Sequence, residues 1–224
     1  MTDQKENRQV KCVLVIPAHN EESSLLDCLE AIADAELPTG VVWDDWILAD
    51  GGSKDRTVEL WQSWSATHHD FALRVQRSVN RRGKAVELEE VRRSLRRRND
   101  PDLVMVVCDA DSRVTSRALL ELLTPFVSDQ ELGVAWGLAV PHGQRAWRRG
   151  SWFQASLVAA LARNAGGESI RAEGRLFAIR VWWSWSDPTQ MNHPECERTD
   201  HNRYGREAHV EQKTYARTSH HQNC

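Results

Sequence analysis

The sequence predicts an α/β fold in which a mostly parallel central sheet is flanked by helices, and three observations carry that expectation. Short apolar runs at 10–17, 41–50 and 103–110 alternate with longer segments of helical periodicity, the pattern of successive βα units. Each run ends in a polar, turn-forming stretch that opens the next segment, as the carboxyl ends of strands in such sheets do. The 224 residues, 41% of them hydrophobic, suit one domain with a sizeable core, or one domain with a tail, and would crowd two.

Taken in order, VKCVLVIP reads as a first buried strand. NEESSLLDCLEAIADAE then sets Leu25, Leu26, Cys28, Leu29, Ile32 and Ala33 on one side of a helix, with acidic residues in the first turn where the helix dipole favours them. VVWDDWILAD is a second strand ending at Asp50, and DRTVELWQSWSA a second helix offering Val58, Leu60, Trp61 and Trp64. ALRVQRS is a short third strand. GKAVELEEVRRSLRRR is a helix closed at Asn99, Asp100 and Pro101, because proline bars its predecessor from helical geometry. LVMVVCDA is the fourth and most hydrophobic strand. TSRALLELLTPFV opens with Thr115 or Ser116 as a cap, ELGVAWGLAVP is a further strand, and WRRGSWFQASLVAALARNAGG a helix closed by two glycines. Composition changes near Ser186: all ten tryptophans precede it, whereas 187–224 holds five of the nine histidines and almost no aliphatic residues. The chain thus divides into a flexible N-terminus (1–9), a folded domain (10–186) and a polar tail (187–224) with too little apolar surface to order well.

Charge and cysteine usage narrow the function classes. Lys and Arg number 29 against 32 Asp and Glu, a net charge of −3, so no global basic field points to nucleic acid. The five cysteines are scattered and free of CxxC spacing, which argues against a disulfide framework or a zinc site and for a reducing, cytoplasmic setting. No apolar leader and no run of about 18 apolar residues is readable, so the expected contact with a membrane is at most peripheral, at its inner face. No G-x-G-x-x-G follows the opening strand, which disfavours a dinucleotide dehydrogenase, and PAHNEE is not the glycine-rich signature of a nucleotidyltransferase.

Ligands of open α/β sheets gather beyond the carboxyl ends of the strands, where this chain places PAHNEE, DGGSKDRT and DADS. In DGGSKDRT two glycines permit close backbone approach before a helix, or form a plain turn whose polar groups Asp50 accepts. In PAHNEE, Asn20 and Glu21 serve a ligand or simply cap a helix. Asp109 and Asp111 are harder to explain locally. Adjacent carboxylates at the end of a buried strand raise each other's pKa unless donors or a cation neutralise them. Mg²⁺ or Mn²⁺ does so well, since such ions take one or two carboxylates together with substrate phosphates. The alternative is an Asx-turn leading into a solvated loop.

The order IPAHNEE, ADGGSKDRT, RRGKA, CDADS resembles family 2 glycosyltransferases of the GT-A fold, from about Val10 to about Arg180, with a truncated or altered C-terminal part. The resemblance implies a nucleotide-diphospho-sugar transferase fold and an inverting displacement at the sugar. It implies that Pro17, Ala18, His19, Asn20 and Glu21 line a nucleotide pocket, joined by Gly51 and Ser53 of the second loop. Asp50 would accept from the base, uracil or guanine, and Gly83 and Lys84 would lie near the nucleotide or its phosphates. Asp109 and Asp111 would be the motif for Mn²⁺ or Mg²⁺, Asp111 as direct ligand and Asp109 nearer the ribose or a metal-bound water. The partners implied are a UDP- or GDP-sugar donor and a glycan, lipid or small-molecule acceptor.

The acceptor half departs from the family pattern. GRLFAIR resembles the segment lining the acceptor side, yet the acidic base and the Q-x-x-R-W motif expected beyond it are missing. Asp187 or Glu173 could stand in as the base that deprotonates the acceptor, and His142 either takes part or is solvated. Without a base the chain would bind a nucleotide sugar and transfer nothing. WRRGSWFQASLVAALARN either packs on the sheet or rests at a membrane interface, and WWSW at 182–185 is similarly open.

Overall fold

The structure, a computed structural model, describes residues 9–68, 72–78, 83–139, 175–182 and 206–217. Within them run β1 (Val10–Ala18), α1 (Leu25–Ala33), β2 (Val41–Asp50), α2 (Thr57–Ser65), β3 (Ala72–Arg77), α3 (Lys84–Arg96), β4 (Val104–Cys108), β5 (Ser112–Val114), α4 (Ala118–Ser128), β6 (Leu132–Ala139), β7 (Leu176–Arg180) and β8 (Arg206–Arg217). The strands form a single sheet in the order β3-β2-β1-β4-β7-β6-β8-β5. The half built from β1 to β4 is parallel, as predicted. Beyond β4 the sheet is mixed, because β7 and β6 pair antiparallel with their neighbours while β5 and β8 run parallel.

Period-two alternation puts the central strands between two apolar layers. Cys12, Leu14 and Ile16 of β1 and Val104, Val106 and Cys108 of β4 join one layer, which α1, α2 and α4 cover. Val13, Val15, Met105 and Val107 join the other, covered by Val91 and Leu95 of α3. Burial on both faces explains why these strands read as unbroken hydrophobic runs. The helical stripes are narrower than the sequence predicts: Leu26 and Ala33 of α1 are exposed, whereas Trp61 and Trp64 of α2 are buried and Val58 and Leu60 pack partly on them. Trp46 and Trp64 stack with ring centroids 5.4 Å apart, tying β2 to α2.

Three features depart from the expectations. Helix α4 starts later than Thr115 or Ser116 would cap it, with Arg117 as its N-cap, because the Ser116 carbonyl instead accepts the Glu36 N–H at 2.7 Å. The short strand β5 follows the DADS loop directly and has too few residues to leave a periodic signal. The polar segment 187–224 enters the described structure only through β8, a strand where composition predicts little order. Pairing along the edge of β6 draws on backbone hydrogen bonds and needs no apolar side chains, which is why composition does not announce it. The remainder of that segment, like residues 1–8, lies outside the described residues, as does the helix expected at 147–167.

The mixed half is stapled to the parallel half by Arg180, 7% exposed. Its guanidinium donates to the carbonyls of Leu132 at 3.0 Å, Asp129 at 3.1 Å, Phe126 at 3.3 Å and Asp102 at 3.3 Å. One side chain thereby satisfies acceptors at the end of α4, the start of β6 and the turn before β4. Arg180→Leu leaves these carbonyls without their donor and should lower unfolding free energy by about 3 kcal/mol in urea titrations. A change below about 0.5 kcal/mol would show that water replaces the guanidinium at no cost.

Candidate active site

The order β3-β2-β1-β4 places a topological switch between β1 and β4: the chain moves outward from β1 to β2 and β3, then returns to the other side of β1. In such sheets the crevice opens there, beyond the carboxyl ends of the two strands. PAHNEE leaves β1 and DADS leaves β4 at this crevice, and DGGSKDRT leaves β2 beside it.

The first two loops are woven together by hydrogen bonds. Asn20 N–H donates to Ser53 Oγ at 2.9 Å, Glu21 N–H to Thr57 Oγ1 at 2.8 Å, and Glu22 N–H to Asp55 Oδ2 at 3.1 Å. In return, Lys54 N–H donates to Asn20 Oδ1 at 2.8 Å and Arg56 N–H to Glu22 Oε2 at 3.0 Å. Asn20 holds this position with φ at 59°, a left-handed conformation that asparagine tolerates better than most residues. With its Oδ1 already an acceptor, Asn20 Nδ2 donates to His19 Nε2 at 3.3 Å, so Nδ1 carries the ring proton and donates to the Gly51 carbonyl at 3.0 Å. Asp55 accepts from the Thr57 hydroxyl and from the Thr57 and Glu22 amides; burial opposes its charge, but these bonds win and its pKa falls below the ordinary value. The side chains of Asn20, Ser53 and His19 are therefore engaged in holding one loop against the other.

Asp50 is fully buried beneath this arrangement. Its Oδ1 accepts the Ser53 N–H at 3.0 Å, while Oδ2 lies 3.1 Å from Arg77 Nε without the alignment of a hydrogen bond. The second oxygen is thus compensated in charge but open to a donor. Gly51 permits the close packing here: a Cβ at this position would stand 2.9 Å from Glu87 Oε1 on α3. Glu87, 6% exposed, was not anticipated from sequence, although it stands one helical turn beyond Lys84. Gly83, with φ at 91°, is the N-cap of α3 and supplies a backbone shape other residues rarely adopt.

Asp109 and Asp111 sit on the other wall, separated by buried Ala110. The Asp109 N–H donates to the Arg175 carbonyl at 2.8 Å, which ties the end of β4 to the start of β7. Lys84 pairs with Asp109 directly, and Arg175 Nη1 lies 3.7 Å from Asp111 Oδ1. Burial raises the Asp109 pKa, with Asp111 adding to the effect and Lys84 and Arg175 opposing it. Glu21, across the crevice, is raised to about 7, first by burial and then by the negative charge of Asp111, Asp109 and Asp55, against a hydrogen bond from Ser24. Sequence reading did not single out Arg175, whose only signal is a basic residue at the foot of LFAIR.

This donor set fits a divalent cation. Two carboxylates face one crevice in mutual repulsion, and all its would-be ligands are hard oxygens. Among the described residues no group of three or more His, Cys, Asp or Glu side chains could hold a metal unaided, so an ion here would complete its shell with water and phosphate oxygens. The weak base candidates Asp187 and Glu173, together with His142, lie outside the described residues.

A family model described as glycosyl transferase family 2 matches residues 13–186, well over half of the chain. The chain belongs to glycosyl transferase family 2. Its domain has the GT-A fold. A mannosyltransferase from Pyrobaculum calidifontis, solved in complex with GDP-Man and Mn²⁺, superposes with a TM-score of 0.55 at 22% identity, covering 77% of this chain and 45% of that one. Glucosyl-3-phosphoglycerate synthase from Mycobacterium tuberculosis, solved with Mn²⁺, UDP and phosphoglyceric acid, gives 0.48 at 22% identity, covering 76% of this chain and 56% of that one. The chain therefore spans about half the length of these enzymes. No curated protein sequence matches it. Among the described residues no helix is long and apolar enough to cross a membrane.

The Glu21 environment has a measurable consequence for this family member. Its carboxyl keeps a proton in the folded chain that it loses in the unfolded chain above the ordinary value of 4.5, so stability should fall as pH rises from there towards about 7. Asp109 acts in the same direction. Glu21→Gln should flatten that decline in urea titrations run across the interval; an unchanged slope would mean that Glu21 is solvated.

Proposed function

We propose that the chain is the donor-binding part of a metal-dependent, inverting glycosyltransferase that takes a UDP- or GDP-sugar and delivers the sugar to a glycan, lipid or small-molecule acceptor. The observation that carries this reading is the meeting, at the β1/β4 switch, of the carboxylate pair Asp109 and Asp111 with Lys84 and with the nucleotide-type loops of β1 and β2. The mannosyltransferase that shares the fold was solved with GDP-Man and Mn²⁺, which is the chemistry proposed here.

The residues divide the task. Pro17 to Glu21 with Gly51 and Ser53 form a rigid cradle whose side chains are already paired, so the nucleotide would meet backbone groups and shape. Asp50 Oδ2 would accept a ring N–H of the base. Asp109 and Asp111 would hold Mn²⁺ or Mg²⁺, Asp111 directly and Asp109 nearer the ribose or a metal-bound water. When bound, such an ion supplies positive charge against the diphosphate that departs. Lys84, in the first turn of α3, stands where it can turn from Asp109 to those phosphates. The acceptor hydroxyl must lose a proton as it attacks the anomeric carbon, and Asp187 or Glu173 is proposed as the base.

A second reading, a nucleotide-sugar binder that transfers nothing, draws on the end of the family match at residue 186, with no base motif before it. Cytoplasmic placement, with at most peripheral membrane contact, goes with either reading.

Calorimetry of UDP- and GDP-sugars with and without Mn²⁺ tests the donor site. Binding should require Mn²⁺, and Asp111→Ala should weaken it by about a hundredfold, the loss expected for a direct ligand to the ion. Metal-dependent binding that survives this substitution would remove the motif from the site. Donor hydrolysis or transfer separates the enzyme from the binder.

A further inference from the structure

The Asp109 carbonyl is the hub of the acidic loop. It accepts the Ser112 N–H at 2.9 Å, the bond that closes the turn from Asp109 to Ser112 and so sets the direction in which Asp111 leaves it. A carbonyl oxygen has a second lone pair, and here the group that meets it comes from another element: the Cys28 thiol of α1 donates to it at 3.5 Å. Cys108, the last residue of β4, stands behind this contact, its sulfur 3.9 Å from that of Cys28 and 3.7 Å from the same carbonyl. Each thiol has one proton, so with Cys28 donating to the carbonyl, Cys108 donates either to the Cys28 sulfur or to that carbonyl. Both thiols are buried, and no bulk water stands ready to replace one that is lost. Cys28 also keeps its proton firmly: the hydrogen bond with Cys108 first, then burial and the neighbouring charges, push its pKa well above the ordinary thiol value.

We propose that Cys28 is a positioning residue for the acidic motif: its thiol fixes the peptide between Asp109 and Ala110, and with it the spacing of the two carboxylates that hold a divalent ion. The inference rests on the reading of Asp109 and Asp111 as that motif. On the apolar face of α1 a thiol could serve only as a small hydrophobe, but this one is aimed at a backbone acceptor inside the acidic loop. Helix α1 follows directly on PAHNEE, its Leu25 N–H donating to the Glu21 carbonyl at 3.0 Å, so the thiol also ties the acidic loop to the opposite wall of the crevice. Repulsion drives two neighbouring carboxylates apart when no ion lies between them, and a donor from outside the loop resists that movement. An ion with strict ligand geometry binds more tightly to carboxylates already held at one spacing.

Two substitutions in the full chain separate a donor from a space-filler, because their effects rank in opposite orders. Cys28→Ser keeps a donor but buries a more polar group, whereas Cys28→Ala removes the donor and leaves an apolar lining. Calorimetry with Mn²⁺ alone as probe should find Cys28→Ser within about twofold of wild type and Cys28→Ala about fivefold weaker, the loss of one weak hydrogen bond to the motif. Urea titrations should give the reverse order, with Cys28→Ser the less stable of the two. Should either variant fail to fold, the similarly shaped pair Cys28→Thr and Cys28→Val repeats the comparison with and without a donor, and the threonine variant should bind Mn²⁺ the more tightly. Mn²⁺ affinities that are equal with and without the donor, or that follow stability, overturn the proposal and leave Cys28 a core residue. The parent reading fails differently: wild type then binds no Mn²⁺, or Asp111→Ala binds it as tightly as wild type, and Cys28 has no motif to position.

Discussion

Repulsion among carboxylates organises the crevice. Asp109 and Asp111 leave β4 only two residues apart, Glu21 leaves β1 opposite them, and burial withholds the water that would otherwise screen their charges. Burial first, and then the charges of Asp111 and Asp109, raise the proton affinity of Glu21, and burial first raises that of Asp109. Lys84 and Arg175 relieve part of the strain, and they do so from α3 and β7, the two elements that close the crevice from outside the β1–β2 pair.

The loops after β1 and β2 are rigid by contrast. Seven hydrogen bonds run between PAHNEE and DGGSKDRT, and five of them use a main-chain donor with a side-chain acceptor, so each loop's backbone is fixed by the other's side chains. Asp50 beneath them offers a buried oxygen whose charge is balanced by Arg77 but whose lone pairs are open. Loops fixed this way lose little conformational entropy on meeting a partner. Interlocked loops form one wall of the crevice, and the acidic motif with its Lys84 and Arg175 ion pairs forms the other.

Legibility in the sequence followed the physics of each element. The central strands were readable because burial on both faces leaves unbroken apolar runs such as VKCVLVIP and LVMVVC. The loops were readable because strand-end chemistry depends on residue types adjacent in sequence, as in DGGSKDRT. Contacts between distant segments left no such trace. Nothing near Arg175 announces Asp111, and Glu87 looks like one more solvated helical glutamate until Gly51 is seen to leave it room. Arg180 is similar, since its four carbonyl partners are backbone groups whose identity no side-chain pattern encodes. The interplay of PAHNEE and DGGSKDRT was legible only as alternatives, capping or binding, and the geometry shows their side chains bridging one loop to the other.

Where the sheet changes character, so does the source of its cohesion. From β3 to β4 the strands are parallel and clamped between helices on both faces, so that half of the molecule is held by apolar burial. Beyond β7 the sheet grows through β6, β8 and β5, and β8 is joined to both its neighbours along its backbone. Backbone pairing fixes the position of a strand without dictating its side chains. Sequence on that side can therefore diverge while the loops after β1, β2 and β4, mounted on the buried strands, keep their geometry. The join between the two halves is the β4–β7 ladder, which the Asp109 amide extends onto the Arg175 carbonyl at the acidic motif itself.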